Sequence, residues 1–400
     1  MHKISVLVIH NRYLQSAGED AAVRAEVDQL RRAGHRVITY TRDNTEIADY
    51  GSLRKASLSF RTTWNQQSYA DIRALLRSER PDIAQIHNFF PLISPSAHYA
   101  CKSAGVPVVQ TLHNYRLFCP AATLFARGER CRRCSRSMTA AIRSGCYRNS
   151  RLQTVTVSAM LAAHRLRGTW NRCVDAYLTP SHFCRDYFIA AGLPPAKIHI
   201  KPNFLARDPG RRTGRGDYAL FLGRLSAEKG AVEMVRAWQQ LPEVPLLIAG
   251  DGQLRAELEQ AVSRAHGRIK LLGQLDAQQT MSWIKRARFL VFPSRWYEPF
   301  GMALLEAVAC GVPAVATRIG AIPELVADRE TGLLFDPDNF DQLVERVRWA
   351  WSHPDDMEQF GSAARRLYLQ KFTAERSYEA LMSVCRGLLD RTGESPLKNG

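Results

Sequence analysis

The sequence contains few of the features of a membrane-spanning or secreted chain. The uncharged, helix-like stretch at residues 152–163 is well short of the roughly 20 residues that a membrane-spanning helix needs. The first ten residues reach Asn11 without an apolar segment long enough for a signal peptide, so they predict a first strand instead. No long low-complexity run is present. These absences indicate a cytoplasmic globular protein.

Acidic residues are scarce in one half of the chain only. Residues 1–200 contain 28 Lys and Arg against 13 Asp and Glu, whereas residues 201–400 contain 27 against 25. Such a basic half fits an anionic membrane surface, a lipid-linked diphosphate or a nucleic acid. No helix-turn-helix, aromatic stacking motif or zinc-finger helix pattern supports nucleic acid. We therefore expect an anionic membrane surface and no nucleic acid.

Strand and helix patterns alternate along the whole chain. Four hundred residues exceed a single hydrophobic core, so two domains are expected. Apolar runs predict strands at 3–10, 35–41, 82–87, 107–112, 174–179 and 197–201, and again at 218–223, 245–250, 269–272, 288–293, 313–317 and 332–335. This alternation predicts α/β domains with doubly wound parallel sheets. A segment rich in Gly, Pro and charge at 206–216 predicts a linker.

Two glutamates stand eight positions apart where a predicted strand is followed by a predicted helix. Glu298 lies on the loop before this helix, and Glu306 lies roughly 8 Å along the axis from its start. The backbone N–H groups around Phe300 and Gly301 have no intrahelical acceptor, so they can bind an anion. Taken alone, the spacing favours a helix cap at Glu298 and a solvated charge at Glu306 over a ligand site.

Two cations follow an earlier strand in the same way. Arg224 and Lys229 come in the loop after the strand predicted at 218–223. Ligands of open α/β sheets bind at the carboxyl ends of the strands. An Arg fork and a Lys point charge at this edge suit a diphosphate. Together with the two glutamates, they indicate a site for a ligand of about the length of a nucleotide sugar.

The joint pattern resembles the retaining glycosyltransferases of the family 4 type, also called glycosyl transferases group 1. Their signature is a Glu, seven residues and a second Glu, with the Arg and Lys in a preceding loop. The resemblance is strong over residues 218–340 and looser elsewhere. It implies a GT-B fold, in which two Rossmann-like domains face a cleft. Residues 1–205 would form the acceptor-side domain, residues 206–371 would bind the nucleotide sugar, and a helix within 372–400 would cross back to the first domain.

The resemblance also implies roles for individual residues. Arg224 and Lys229 would hold the diphosphate of a UDP- or GDP-sugar, and Glu306 would accept hydrogen bonds from the ribose. Glu298 and the amides of Phe300 and Gly301 would contact the donor sugar and its phosphate. The backbone at Gly273 and Gln274 would pack on the base.

Two further residues, in the first half, carry weaker signals. The resemblance implies that His113, after the strand at 107–112, reaches the donor sugar and takes part in catalysis with Glu298, Arg224 and Lys229. A purely structural histidine is the alternative. Gly18 would allow an acceptor or phosphate to approach the backbone. The family carries a glycine pair there and this chain has Ala17 at the first position, so a plain turn at Gly18 is the alternative.

The implied activity is transfer of a sugar from a nucleotide-diphosphate donor to a cell-envelope, lipid-linked or polysaccharide acceptor, with no catalytic cofactor and at the inner face of the membrane. Departure and attack on one face of the sugar is preferred over a covalent intermediate on Glu298, because the family lacks a well-placed nucleophile. A nucleotide-sugar 2-epimerase of similar fold and a non-catalytic, zinc-bearing nucleic-acid binder are the alternatives.

Four of the nine cysteines form a separate pattern. Cys119, Cys131, Cys134 and Cys146 are spaced C-x11-C-x2-C-x11-C, in an insertion at 119–146 that is rich in arginine. Four thiolates can bind a structural zinc ion, and the arginines would offset their negative charge. The outer spacings differ from those of a standard finger, so free thiols, an iron–sulfur cluster or disulfides remain alternatives. Without a signal peptide, a metal is favoured over disulfides.

Overall fold

The structure, a computed structural model, describes residues 3–13, 18–135, 137–265 and 268–393. The chain forms two compact units. Unit 1 comprises Met1–Arg127, Cys131–Pro202 and Ala374–Gly400, and unit 2 comprises Gly128–Arg130 and Asn203–Thr373. Each unit is built on one six-stranded parallel sheet, which confirms the predicted fold class.

The strands, in chain order, are β1 (Ser5–Arg12), β2 (Arg36–Asp43), β3 (Ile83–Asn88), β4 (Val108–Thr111), β5 (Phe125–Ala126), β6 (Glu129–Arg130), β7 (Ala176–Thr179), β8 (Ile198–Ile200), β9 (Ala219–Leu222), β10 (Leu246–Ala249), β11 (Ile269–Gly273), β12 (Phe289–Phe292), β13 (Ala314–Thr317) and β14 (Gly332–Phe335). Every strand predicted from the sequence coincides with one of these. The short β5 and β6 were not predicted, because two-residue strands leave no periodic pattern.

The helices are α1 (Gly18–Arg32), α2 (Ser52–Thr63), α3 (Gln66–Glu79), α4 (Ser96–Ser103), α5 (Thr139–Ser144), α6 (Arg151–Leu166), α7 (Thr169–Arg172), α8 (His182–Ala190), α9 (Ala231–Trp238), α10 (Arg255–Arg264), α11 (Ala277–Arg286), α12 (Met302–Ala309), α13 (Ile322–Leu325), α14 (Phe340–Ser352), α15 (Pro354–Lys371) and α16 (Ala374–Gly393). Within the described ranges, none of these helices has both the length and the apolar character required to cross a membrane.

The sheet of unit 1 has the strand order β2-β1-β3-β4-β7-β8, with all neighbours parallel. Val6 of β1 pairs with Val37 on one side and with Ile83 on the other. Helix α16 belongs to this unit, since Leu381 and Met382 join its apolar core. The last helix therefore packs with the first half of the chain and closes one face of its sheet.

The sheet of unit 2 has the strand order β11-β10-β9-β12-β13-β14, also parallel throughout. Its central strands are buried along their whole length, as β12 shows with four buried residues in succession. Strands covered by helices on both faces read as continuous apolar runs, which is why the sequence revealed them. From β9, successive strands are added first on one side, as β10 and β11, and then on the other, as β12 to β14. The order therefore reverses between β9 and β12, and sheets of this kind bind ligands at such a point.

The segment expected to be a linker, residues 206–216, is packed against unit 2. The buried Arg212 donates from Nη1 to the carbonyl oxygen of Ala287 at 2.6 Å, and Asp208 pairs with Arg365 at 2.6 Å. Its Gly and Pro content therefore marks irregular backbone that is anchored to one unit. The division between the units falls earlier in the chain, after Pro202.

Candidate functional site

Lys229 and Glu298 meet at the point in unit 2 where the strand order reverses. Lys229 ends a 3₁₀ turn that follows β9, and Glu298 lies in the loop that follows β12. Lys229 Nζ lies 2.5 Å from Glu298 Oε1, although the two residues are 69 positions apart in the chain. Because β9 and β12 are parallel neighbours, both loops leave the same edge of the sheet.

The carboxylate of Glu298 is almost fully buried, with 4% of its side chain exposed, and accepts several hydrogen bonds. Ser294 Oγ donates to Oε1 at 2.7 Å and Trp296 Nε1 donates to the same atom at 2.6 Å. The ammonium of Lys229 also lies 5.3 Å from the centre of the Trp296 ring. These contacts compensate the buried charges and hold both side chains in place.

Arg224 lies in the loop directly after β9. Its guanidinium pairs with Glu228 at 2.7 Å, yet 54% of the side chain remains exposed and available to a ligand. The loop is supported by a neighbouring turn, in which Asp251 accepts a hydrogen bond from the backbone N–H of Leu225 at 2.9 Å. A Cβ atom on Gly252 of that turn would come 2.4 Å from Leu225 O, so only glycine allows this contact.

Two glycines allow the loops around Glu298 to pack closely. Gly230 has φ of 69°, and a Cβ atom there would lie 2.3 Å from the carbonyl oxygen of Pro293. Gly320 has φ of 60°, and a Cβ atom there would lie 2.5 Å from the backbone nitrogen of Glu298. Both positions need a left-handed backbone and tolerate no side chain. The position of Glu298 thus depends on segments before and after it.

Helix α12 begins directly after Gly301. Gly301 has φ of 101° and is the N-cap, so the first helical residue is Met302. Phe300 is buried, and its ring packs edge-on against Phe372 with the ring centres 5.7 Å apart. The first backbone N–H groups of the helix have no intrahelical acceptor and carry its positive dipole end.

Glu306 lies on α12 with its carboxyl group largely enclosed by protein. Burial raises the pKa of this carboxyl to about 7. No hydrogen bond or ion pair to the Glu306 side chain is formed within the described residues, so nothing offsets the cost of burying its charge. A surface charge would be solvated and would keep its ordinary pKa. The carboxyl group is therefore placed to accept hydrogen bonds from a ligand.

Gly273 and Gln274 lie at the end of β11, two strands from β9. Gly273 has φ of 72°, and its carbonyl oxygen accepts a hydrogen bond from Gly250 N at 2.8 Å. Gln274 is exposed. Both residues belong to the same unit as Arg224, Lys229 and the helix start.

His113 belongs to unit 1 and follows β4. Its Nε2 lies 2.9 Å from Nδ1 of His87, and the two rings stack with their centres 5.2 Å apart. His87 Nε2 in turn lies 3.4 Å from the carboxylate of Glu26, which pairs with Lys201. Burial lowers the pKa of both histidines well below the usual range, so both are neutral near pH 7. A neutral His113 can donate or accept a hydrogen bond but contributes no positive charge.

Gly18, the other predicted residue of unit 1, is the first residue of α1. Ala17, which stands where the family has the first glycine of its pair, lies outside the described residues. The next residue, Glu19, accepts hydrogen bonds from Tyr13 Oη and Asn114 Nδ2, both at 3.1 Å. Burial raises the pKa of the Glu19 carboxyl to about 7.

The four predicted metal ligands are brought together in unit 1. Cys119, Cys131, Cys134 and Cys146 line one small cavity, and none of them forms a disulfide. In the arrangement shown, however, no three His, Cys, Asp or Glu side chains in the described part of the chain could hold a metal ion as they stand.

Several contacts of the site could not be found from the sequence. Trp296 and Ser294 were not singled out, since a tryptophan and a serine on a loop have no characteristic spacing. Glu228 follows Arg224 by four positions, a spacing that suggests an ion pair only once the local turn is known. The Glu26 and His87 pair that adjoins His113 comes from separate elements and leaves no pattern.

Two family models together match most of the chain. The model described as Glycosyl transferases group 1 matches residues 206–367, and the model described as Glycosyltransferase Family 4 matches residues 21–208. The chain belongs to the family 4 type of glycosyltransferases. The Glu, Arg and Lys pattern that suggested this family from the sequence lies within the first of these matches.

Relatives of assigned activity match part of the chain. It is 32% identical over 160 residues to a D-rhamnosyltransferase of Pseudomonas aeruginosa, covering 39% of this chain and 42% of that protein. It is 35% identical over 192 residues to the O-antigen chain mannosyltransferase B of Escherichia coli, covering 42% and 50%. The chain spans half or less of the length of these curated relatives.

Solved structures match over nearly the whole chain. HepE of Anabaena, crystallised with UDP-glucose, has a TM-score of 0.68 at 18% identity and covers 97% of this chain and 100% of its own. Sucrose-phosphate synthase from Thermosynechococcus elongatus has a TM-score of 0.73 at 18% identity, with the same coverage. At these identities the likeness concerns the fold, and it confirms the predicted GT-B fold.

Proposed function

We propose that this protein is a retaining glycosyltransferase that moves a sugar from a nucleoside-diphosphate donor to a hydroxyl group of a cell-envelope glycan or a lipid-linked acceptor. The observation that carries the proposal is the Lys229–Glu298 pair, where the strand order of unit 2 reverses. The crystallisation of HepE with UDP and with UDP-glucose supports a nucleotide sugar as the donor.

The donor diphosphate would bind Arg224 and Lys229 in place of their present carboxylate partners. Arg224 is half-exposed and can turn its guanidinium from Glu228 to a phosphate. Lys229 can do the same from Glu298, which is then free to accept hydrogen bonds from sugar hydroxyls. The N–H groups at the start of α12 would bind the phosphate nearest the sugar. Glu306 would bind the ribose hydroxyls.

Departure of the diphosphate and attack by the acceptor would occur on the same face of the sugar. With Lys229 on the diphosphate, Glu298 Oε1 still accepts hydrogen bonds from Ser294 Oγ and Trp296 Nε1, which occupy lone pairs that a nucleophile would need. This supports a binding role for Glu298 over a covalent one. Catalysis would come from positioning and from stabilisation of the leaving diphosphate by Arg224, Lys229 and the helix start.

The protein would bind its acceptor at an anionic membrane surface. In unit 1, α2 and α6 pack against each other and expose large apolar side chains, among them Phe60 at 82% and Leu152 at 79%. Arg151 and Arg167 of the same region are exposed as well. Apolar side chains beside arginines suit the boundary between anionic headgroups and acyl chains. A lipid-linked acceptor would then reach the protein from the membrane.

A screen of UDP- and GDP-sugars for thermal stabilisation identifies the donor, because a ligand at 100 times its Kd adds roughly 2.7 kcal/mol to stability. Acceptor-dependent release of nucleoside diphosphate then measures transfer, and the anomeric configuration of the product tests retention. Conversion of the donor without any acceptor would identify an epimerase instead. Failure of every nucleotide sugar to stabilise the protein would overturn the proposal.

The diphosphate assignment is tested with Arg224→Ala and Lys229→Ala. Each variant should lose about 10- to 150-fold in turnover, since a hydrogen bond to a charged group contributes ~1.5–3 kcal/mol. Arg236→Ala is the matched control, because this arginine of α9 is 67% exposed and pairs with Glu257, which is also exposed. Full activity of the Arg224→Ala, Lys229→Ala double variant would contradict the assignment.

A further inference from the structure

The four cysteines of the insertion reach one point from three separate segments. Cys119 lies in the loop after β4, Cys131 and Cys134 flank and enter a 3₁₀ turn, and Cys146 follows α5. They line a cavity of about 10 Å³, close to the space that a single water molecule or ion needs. Four cysteines thus line a cavity that is large enough for one ion.

The rest of the cavity wall is apolar except for Ser144. Leu124, Phe125 and Ala141 are among the side chains that complete it, and no Asp, Glu or His contributes to the lining. Four sulfur atoms with a single hydroxyl group suit a soft or borderline cation such as Zn²⁺ and not Mg²⁺ or Ca²⁺, which take several oxygen ligands. The wall therefore selects for the kind of metal as well as for its size.

Backbone hydrogen bonds hold the cysteine segments in place. Leu124 O accepts a hydrogen bond from Cys131 N at 2.7 Å, and Cys119 O accepts one from Ala122 N at 2.9 Å. Leu124 and Cys119 both line the cavity, so the loop after β4 is connected through its backbone to the segment that carries Cys131.

Positive charge stands next to these sulfur atoms. Arg133 Nε donates to Cys131 Sγ at 3.4 Å, and Arg116 Nη1 donates to the carbonyl oxygen of Pro120, the residue after Cys119. Binding of Zn²⁺ by four thiols releases four protons, forms four Zn–S bonds and changes the charge of the site from zero to minus two. The guanidinium groups offset that charge.

We propose that Cys119, Cys131, Cys134 and Cys146 bind one Zn²⁺ ion as four thiolates, once their side chains turn their sulfur atoms onto a common centre. The ion is structural, because four protein ligands leave no coordination position for a substrate. It holds the loop after β4, the 3₁₀ turn and α5 together. The inference is independent of the glycosyl transfer proposed above.

Elemental analysis of the full-length protein, purified without added metal, is the first test. We expect one equivalent of zinc per chain. Less than about a tenth of an equivalent of zinc would overturn the proposal. Iron with its visible absorption in place of zinc, or a mass lower by the hydrogens lost in disulfide formation, would overturn it as well.

Variants locate the ion. The Cys131→Ser, Cys134→Ser double variant should be isolated without zinc, whereas Cys173→Ser should keep the full equivalent. Cys173 is a matched control, since it is a buried free cysteine of unit 1 that does not line the cavity. Zinc retained at full occupancy in the double variant would place the ion elsewhere and contradict the proposal.

A measurement on the unaltered protein covers the case in which the double variant does not fold. Replacement of zinc by Co²⁺ should give the intense visible bands of a tetrahedral cobalt site together with sulfur-to-cobalt charge transfer. Removal of the ion by a chelator should expose four additional thiols to a thiol reagent and lower the unfolding temperature. Cobalt spectra without sulfur charge transfer, or an unchanged count of reactive thiols, would contradict the assignment.

Discussion

At the scale of single residues, Glu306 is the group whose protonation reports most directly on the candidate site. Burial raises its pKa from 4.5 to about 7. The folded chain therefore holds this proton more tightly than the unfolded chain does. The contribution of the protonated Glu306 to the free energy of unfolding is complete below pH 4.5, and it is lost as the pH rises through about 7.

We expect Glu306→Gln to remove this pH dependence, because glutamine does not ionise. The stability of the variant relative to the unaltered protein should rise between about pH 5 and pH 8, by at most about 3 kcal/mol. Urea denaturation at the two pH values measures the difference. The same variant should bind the nucleotide donor about tenfold or more weakly, since a hydrogen bond to a charged group is lost. A stability difference that stays constant with pH would contradict a buried, unpaired carboxyl group.

At the scale of elements, the contact between the start of α9 and the end of β12 decides where Lys229 lies. Gly230, the N-cap of α9, has φ of 69° and lies against the carbonyl oxygen of Pro293. Two residues after Pro293, Arg295 donates its backbone N–H to Glu228 O at 2.8 Å. The two loops are therefore held together by backbone contacts at the residues before and after Lys229.

Gly230→Ala should separate these loops. The added Cβ would lie 2.3 Å from Pro293 O, and the left-handed backbone disfavours any side chain. We therefore expect a loss of about 1–3 kcal/mol in the free energy of unfolding. Because Lys229 would be displaced, the KM for the donor should rise. Gly387→Ala in α16 is the control, as nothing lies within 4 Å of its Cβ position. It should leave the KM unchanged and gain up to about 1 kcal/mol of stability. Equal effects of the two substitutions would show that the contact with Pro293 does not matter.

At the scale of the whole molecule, the basic surplus of the first half and the exposed apolar side chains of α2 and α6 predict binding to anionic vesicles. Each basic side chain near the surface contributes roughly 1 kcal/mol. Raising the ionic strength from 0.1 M to 1 M shortens the screening length from ~10 Å to ~3 Å and should release the protein. Co-sedimentation with anionic and neutral vesicles measures both effects.

The apolar contribution to this binding is tested with Phe60→Ser. It should weaken binding to anionic vesicles, whereas Leu369→Ser, at a 49% exposed leucine of α15 in unit 2, should not. Equal binding to neutral and anionic vesicles, or none at low salt, would point to a soluble acceptor.

The sequence by itself determined the secondary structure of both sheets and the family. Strands buried on both faces are continuous apolar runs, so 289–292 and its counterparts are visible without any tertiary information. Arg224, Lys229 and Glu298 could be assigned to one edge, because the residue after a parallel strand always lies at its carboxyl end. The spacing of Glu298 and Glu306, together with Arg224 and Lys229 in the preceding loop, indicated the family, and the match over residues 206–367 confirms it.

Only the tertiary structure decided which of these side chains touch. The order β11-β10-β9-β12 makes Lys229 and Glu298 neighbours across 69 positions, and no local pattern encodes strand order. The sequence likewise named four cysteines, but their convergence on one cavity depends on how the loop after β4 folds over α5. Local patterns follow from each residue's own backbone and hydrophobicity, whereas contacts between distant segments depend on how whole elements pack.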